Sequence, residues 1–63
     1  MAKEYGVFKE GTDVWVKTLT PLEYDVAAQA ETWTESEAMG IASYLTITEG
    51  IEHRVGRPDD RHG

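Results

Sequence analysis

Apolar and polar residues alternate at the start of the chain in a pattern that predicts a β-hairpin over residues 4–19. The β-branched and aromatic residues there suit a half-buried, pleated surface, and they lie on both sides of Glu10-Gly11. Glycine at the second position of a two-residue loop can adopt the positive φ that such a turn needs. This loop would place Val7 opposite Val14. A three-residue loop would instead place Val7 opposite Trp15.

Residues 20–31 support two interpretations. The run Thr20-Pro21-Leu22-Glu23 matches a helix start, with threonine as N-cap, proline in the first helical position and glutamate bonding back to the cap. The alternation in Tyr24-Asp25-Val26 and the β-prone pair Thr32-Trp33 instead favour a third strand near residues 28–33. The pattern favours the strand only slightly, so both interpretations stay open.

Residues 34–48 carry the clearest helical pattern. Thr34 would be the N-cap, and Glu37 would complete a capping box three residues later. Four apolar residues follow helical spacing and form one stripe: Ala38, Ile41, Ala42 and Leu45. Gly40 lowers helix stability by about 1 kcal/mol relative to alanine, which predicts a close approach of a strand at this point. Gly50 is suited to end the helix.

Residues 51–57 alternate again and predict a final strand that Pro58 ends, because proline cannot donate to a sheet ladder. Three residues of that strand would share its buried side: Ile51, His53 and Val55. One helix on one face of an antiparallel sheet of three to four strands is the smallest architecture that buries all these residues. We therefore predict a single α+β domain over residues 1–58, followed by a polar tail over residues 59–63.

The charge is unevenly distributed along the 63 residues, which carry six Lys and Arg against twelve Asp and Glu, for a net charge of −6. No Lys or Arg occurs between Thr18 and Gly50, so the whole acidic excess lies there. This distribution argues against a nucleic-acid binder that grips phosphates. It fits either a solvated acidic face or a surface that meets a basic partner.

The residues needed for catalysis or metal binding are sparse. Cysteine is absent, Ser36 and Ser43 have no histidine nearby in sequence, and no glycine-rich phosphate loop occurs. His53 and His62 are too far apart for a compact zinc site, and we expect His53 to be satisfied near the core. The sequence therefore predicts a protein that is not an enzyme and uses no cofactor or metal. The lack of cysteine and the short apolar runs suggest a cytoplasmic location without a membrane span or secretory signal.

The sheet face away from the predicted helix is the candidate binding surface. In the two-residue-loop register Trp15 points to that face, opposite Gly6, and its ring would lie across the glycine. An exposed tryptophan beside other apolar residues is typical of a binding surface. The residues we expect to contact a partner are Trp15, Phe8, Tyr24, Glu23 and Asp25. The alternative is that residues 20–31 fold over this face and bury it.

The sequence also predicts the surroundings of four other side chains. Trp33 precedes the helix N-cap and is expected in the core, and Tyr44 lies beside the apolar stripe and is expected to be half-buried. Arg54 and Arg57 make the final strand locally basic, and we expect them to pair with the acidic middle of the chain.

The run from Ala30 to Ala38, AETWTESEA, resembles the strand-into-helix step of small phage-encoded orphan proteins. The run from Gly50 to Pro58 resembles the closing strand of the same class. The layout is also similar to that of the coliphage inhibitors of host RNA polymerase, although the spacing of Arg54, Arg57 and Pro58 differs. The resemblance implies a phage or prophage origin and binding to a host protein. It transfers no functional residue.

Together these observations predict a small, acidic, non-enzymatic module that binds another protein, one with a basic surface. Two alternatives stay open. The chain could mimic nucleic acid and occupy a basic groove, or it could associate with itself as a homodimer through an exposed sheet edge. Neither a nucleic-acid nor a membrane partner is expected.

Overall fold

The computed structural model describes residues 3–61, with only the backbone of Asp60 and Arg61. It contains four strands, two α-helices and one turn of 3-10 helix. In chain order these are β1 Gly6–Lys9, β2 Trp15–Leu19, β3 Leu22–Asp25, the 3-10 turn Ala27–Gln29, α1 Glu35–Glu49, β4 His53–Gly56 and α2 Pro58–Arg61. All strand pairs are antiparallel, the sheet order is β3-β2-β1-β4, and α1 packs on one face. The predicted α+β fold is confirmed.

The hairpin between β1 and β2 has a longer loop than either predicted register requires. Phe8 pairs with Trp15, and the Lys9 amide donates to the Val14 carbonyl at 3.2 Å, so residues 10–13 form the loop. The Thr12 hydroxyl donates to the Lys9 carbonyl at 2.9 Å and accepts from the Val14 amide at 3.3 Å. Both predicted registers are therefore wrong, because a threonine side chain closes the loop.

The register error leaves the predicted faces unchanged. The observed pairing differs from the two-residue-loop register by an even number of residues, and side chains alternate with a period of two. Val7 and Val16 accordingly face α1 and are fully buried. Trp15 points to the opposite face, where its ring lies against Gly6 as predicted.

The strands β1 and β2 are joined only near the hairpin loop, and another segment enters the sheet where they separate. The Val16 carbonyl of β2 accepts from the Glu31 amide at 3.1 Å. Further along, Tyr5 and Trp33 exchange two backbone hydrogen bonds of 3.0 and 2.7 Å, forming an isolated bridge. Residues 31–33 thus form hydrogen bonds with backbone groups of Tyr5 and Val16, at the point where the first two strands no longer pair with each other.

Both interpretations of residues 20–31 need correction. The run that resembled a helix start forms the turn between β2 and β3, with a cis Thr20-Pro21 bond and the Thr18 hydroxyl donating to the Pro21 carbonyl at 2.5 Å. The third strand exists, but it is β3, Leu22–Asp25, within the alternating run and ahead of residues 28–33. The 3-10 turn and the bridge at Trp33 follow it.

Helix α1 begins and ends as the local sequence predicts. The Thr34 side chain accepts from the Glu37 amide, the Glu37 carboxylate accepts from the Thr34 amide, and both distances are 3.3 Å. Gly50 ends the helix with a left-handed φ of 73°. The explanation for Gly40 was wrong, because that glycine is exposed and has open space around the position of a Cβ atom.

The main core lies between α1 and the sheet. Helix α1 packs principally on β1 and β4. Five side chains form the buried cluster: Val7, Val16, Ala38, Ala42 and Leu45. Six partly buried residues surround it: Tyr5, Leu22, Tyr24, Trp33, Ile41 and Val55. The predicted apolar stripe of the helix is therefore the inner layer of the core, with Ile41 at its margin.

The opposite sheet face is also closed. Trp15 is 2% exposed and Phe8 is 7% exposed, and their ring centroids are 4.8 Å apart. A Cβ added to Gly6 would lie 3.0 Å from the Trp15 ring and 3.1 Å from Cγ of the buried Pro58. Pro58 thus ends β4 as predicted, but it also begins α2, so residues 59–61 are not a polar tail. The last two residues of that predicted tail lie outside the described chain.

His53 is satisfied within the fold, as predicted. It is 5% exposed, its Nδ1 lies 2.6 Å from the Ile51 carbonyl oxygen, and its Nε2 lies 2.6 Å from the Tyr24 hydroxyl. Because a carbonyl can only accept, Nδ1 carries a proton and donates to Ile51. Ile51, expected on the buried side of the strand, is instead 45% exposed and precedes β4.

Candidate functional site: an acidic, apolar groove beside helix α1

The binding patch predicted around Trp15 does not exist as an exposed surface. Trp15 and Phe8 are both buried on the sheet face away from α1, where the Trp15 ring and Pro58 both lie against Gly6. Tyr24 lies on the other face, where it bonds to His53. The structure therefore places the aromatic members of the predicted patch on two different faces, and neither face presents them as an open patch.

The acidic members of that patch are also dispersed. Asp25 pairs with Trp15 in the β2–β3 register, lies 3.7 Å from the Lys17 ammonium and accepts from the Val26 amide at 2.7 Å. Glu23 is exposed on the edge strand β3. Both carboxylates therefore lie on the edge strand β3. The apolar surface that the sequence predicted beside them is not exposed there.

The surface best suited to binding is an open groove of about 800 Å³ between α1 and the turn that joins β2 to β3. We call it the α1 groove. Three of its residues come from the turn region, one precedes α1, and eight belong to α1: Leu19, Thr20, Leu22, Trp33, Ser36, Glu37, Gly40, Ile41, Tyr44, Leu45, Thr48 and Glu49.

The sequence of α1 explains why the groove runs along the whole helix. Ser36, Gly40, Tyr44 and Thr48 recur at steps of four and therefore lie along one flank of the helix. Gly40 contributes no side chain to this wall, and nothing occupies the space where its Cβ would lie. The glycine that seemed to mark a close strand contact instead widens the groove.

The second wall comes from the separation of β2 and β1. Residues 31–33 enter between these strands, and the end of the β2–β3 hairpin faces α1 across the groove. Leu19 and Leu22 flank its turn and line the groove. Trp33 lies between the hairpin and the helix as a partly buried residue packed on the core.

The groove exposes apolar side chains to solvent. Tyr44 is 63% exposed and Leu19 is 39% exposed, while Trp33 and Ile41 are half-buried. Tyr44 was expected to be half-buried, and this was wrong because it points along the flank of α1 and away from the core stripe. Aromatic and aliphatic residues exposed together in a concavity are typical of protein-binding sites.

The charge of the groove is negative throughout. All its residues belong to the stretch from Thr18 to Gly50, which contains no Lys or Arg. Glu37 and Glu49 supply carboxylates in the first and last turns of α1. Within the part of the chain whose side chains are described, no ion pair reaches either of them.

Within the described residues, the two arginines form ion pairs with acids outside the middle of the chain, contrary to expectation. Arg54 lies 3.0 Å from Glu10 and 3.1 Å from Glu52, and Arg57 lies 3.3 Å from Glu4. These acids belong to the two ends of the chain, which β1 and β4 bring together in the sheet. The arginines are thus held next to nearer carboxylates, and the groove keeps its negative charge.

A second polar cluster lies under the C-terminal half of α1. The Lys9 ammonium lies 4.2 Å from the centroid of the Tyr24 ring, and Tyr24 bonds to His53. Burial, and secondarily the Glu49 carboxylate, raise the pKa of Tyr24 above its ordinary value of 10.0. The Thr46 hydroxyl accepts from the His53 amide at 2.9 Å. These contacts join the helix to β3 and β4. The polar groups of Tyr24, His53 and Thr46 thus have a structural role in holding these elements together.

No group of three His, Asp or Glu side chains suited to hold a metal ion occurs within the described residues. His62, the other histidine weighed as a ligand, lies outside them. Among the helices of residues 3–61, none has the length and apolar character to cross a bilayer. Comparison with protein-family models, curated proteins and solved structures gave no match. The function must therefore be inferred from the geometry of this chain.

Sequence reasoning missed most of the groove. Tyr44 had been placed beside the apolar stripe of the helix, and Trp33 had been assigned to the core. Two signals pointed to the region: the absence of any cation between Thr18 and Gly50, and a glycine within the helix that no packing requirement explains. Neither signal locates the second wall, because the separation of β1 and β2 depends on contacts between distant residues.

Proposed function

We propose that this chain is a small, non-enzymatic protein-binding module and that the α1 groove is its docking site. The observation that carries the proposal is the coincidence of exposed apolar side chains, a concave shape and uncompensated negative charge on one surface. Tyr44 and Leu19 are the exposed anchors, and Trp33 and Ile41 extend the apolar surface inward. A partner that buries such anchors gains most of its binding free energy at a few residues.

The polar groups of the fold support a binding role more than a catalytic one. His53 is buried and uses both ring nitrogens in hydrogen bonds within the fold. The groove itself contains hydroxyls and carboxylates but no histidine or lysine that would act as a base beside a nucleophile. The phage origin, host-protein target and cytoplasmic location suggested by the sequence stay predictions.

The test is a selection from a display library of random 16-residue peptides with the full chain as bait, followed by amide chemical-shift mapping of the enriched peptides. We expect the largest shifts at the groove, around Leu19, Gly40 and Tyr44. The variant Tyr44→Asp should abolish binding while keeping the circular dichroism spectrum, because Tyr44 is exposed.

Ile47→Asp is the matched control. Ile47 is 78% exposed on the same helix but does not line the groove. The Ile47→Asp substitution should therefore leave both folding and peptide binding unchanged. If no peptide is enriched, if the shifts map to another surface, or if Ile47→Asp weakens binding as much as Tyr44→Asp, the groove is not the docking site.

A further inference from the structure

We infer that the α1 groove accepts one amphipathic, basic α-helix of a protein partner, lying alongside α1 with cationic residues near both of its ends. This inference rests on the proposed function and specifies the chemistry and shape of the occupant. Three observations carry it: the open space between α1 and the turn of the β2–β3 hairpin, the length of the groove, and the position of its two carboxylates.

The shape of the groove matches a second helix. Helix α1 packs principally on β1 and β4, and Val16 of β2 is also buried in the core beneath it. Across the groove from α1, the end of the β2–β3 hairpin forms the far wall with Leu19, Thr20 and Leu22. The space between this wall and the flank of α1 is open and runs along the helix. A helix of the partner would lie beside α1 in this space.

The length of the groove matches a segment of about three to four helical turns. Its lining on α1 runs from Ser36 to Glu49, a distance of about 20 Å at 1.5 Å per residue. The apolar anchor Tyr44 lies between these limits on α1, and Leu19 lines the opposite wall. An occupant helix would meet them with apolar residues at i, i+3 or i+4, and i+7, the pattern of helices that bind in grooves.

The two groove carboxylates fix where the occupant carries positive charge. Glu37 and Glu49 are twelve residues apart on α1, which is about 18 Å along its axis. A parallel or antiparallel helix would present two cations at this separation when Lys or Arg residues are 11 or 12 positions apart. Among the described residues that line the groove, none is a cation that would compete with them.

The negative charge of Glu49 lowers the stability of α1 in the isolated chain. It is the last residue of α1, where the helix dipole is negative, and the last turn contains no basic residue. The neighbouring Tyr24 is also affected, because the Glu49 charge disfavours the tyrosinate form. A cation supplied by a partner at this point would relieve an electrostatic repulsion that the chain does not relieve itself.

The experiment uses the peptides enriched from the 16-residue library. We expect a consensus with Lys or Arg 11 or 12 positions apart, apolar residues at helical spacing between them, and helix formation on binding by circular dichroism. Affinity should fall as salt is raised. Each of Glu37→Gln and Glu49→Gln should weaken binding by a factor of about 1.5 to 5, as expected for exposed ion pairs.

The two substitutions avoid confusing binding with folding. Glutamine keeps the capping box at position 37. At position 49 it removes the repulsion with the dipole, so Glu49→Gln should raise the melting temperature while it lowers affinity. Glu35→Gln is the control, because Glu35 is an exposed acid in the first turn that does not line the groove. It should leave affinity unchanged.

Several outcomes would overturn the inference and are distinguishable from failure of the proposed function. Peptides that map to the groove but are neutral or acidic, bind in an extended form, or ignore both substitutions would refute the basic helix and leave the docking site standing. A concentration-dependent dimer in sedimentation that Tyr44→Asp abolishes would show that a second copy occupies the groove. Shifts outside the groove would refute both proposals.

Discussion

The two faces of the sheet both carry aromatic and aliphatic side chains but differ in what covers them. On the face away from α1, Trp15 is 2% exposed because Phe8 and Pro58 pack around it. On the α1 side, Tyr44 at the flank of the helix is 63% exposed. Both residues are aromatic and lie next to an apolar surface, yet one belongs to a core and the other to a groove.

The difference between these regions comes from the elements that arrive later in the chain. Pro58 lies two residues after the end of β4, and α2 contacts the 3-10 turn, so two short segments close the face that holds Trp15. On the other side α1 lies over β1 and β4, and nothing within residues 3–61 fills the space beside it. Whether a surface is exposed thus depends on which segments cover it. The residue types on the surface do not determine this by themselves.

The largest expected effect contrasts the two aromatic residues. Trp15→Ala should reduce the free energy of unfolding by about 3–5 kcal/mol, because it empties a closed core. Tyr44→Ala should change it by less than about 0.5 kcal/mol, because the ring is exposed. Urea unfolding followed by circular dichroism measures both. A Trp15→Ala protein as stable as the parent would mean that the second face is open.

Two glycines sharpen the same contrast with opposite signs. Gly6→Ala should destabilise the fold by about 1–3 kcal/mol, since the new Cβ would press on Trp15 and Pro58. Gly40→Ala should stabilise it by about 1 kcal/mol, because the site is helical and has open space. Thermal melts of the two variants provide the measurement. Destabilisation by Gly40→Ala would show that this helix flank is packed and that the groove is closed there.

The start of α1 tests whether the groove wall depends on local capping. Thr34→Ala should reduce stability by about 1 kcal/mol, because it removes the acceptor for the Glu37 amide. Thr34→Ser keeps that acceptor and serves as the control. Chemical denaturation of the three proteins should therefore rank alanine below serine, with serine close to the parent. If the Thr34→Ala and Thr34→Ser proteins were equally stable, the capping box would not contribute to the stability of α1.

The smallest expected effect concerns alkaline pH and the cluster beneath the end of α1. Burial raises the pKa of Tyr24, so the folded protein keeps the tyrosine proton to a higher pH than the unfolded chain does. The unfolding free energy should therefore fall as pH rises above the ordinary value of 10.0. Urea titrations from pH 8 upward measure this slope.

Tyr24→Phe should flatten that alkaline slope, because it removes the group whose pKa is raised in the folded protein. The Tyr24 variant also loses the hydrogen bond to His53, so its stability near neutral pH should be lower than that of the parent by about 1 kcal/mol. An unchanged alkaline slope in Tyr24→Phe would contradict the role of Tyr24 in this pH dependence.

Local signals predicted the helix and the assignment of the two sheet faces. The limits of α1 follow from Thr34, Glu37 and Gly50, which act within one turn of the residues they cap. The faces of Val7 and Trp15 were also predicted correctly even though the register was wrong, because strand side chains alternate with a period of two. The burial of His53 followed from its position in an alternating strand.

Tertiary structure decided the features that depend on distant residues. The hairpin register was set by a side-chain hydrogen bond of Thr12, and the place of β3 was set by pairing with β2. The closure over Trp15 required Pro58 to return across the sheet, and the groove required residues 31–33 to separate β2 from β1. The sequence determines caps and alternation by itself because these interactions act within one turn or one strand. Coverage of a surface depends on which remote segments reach it, and only the assembled fold determines that.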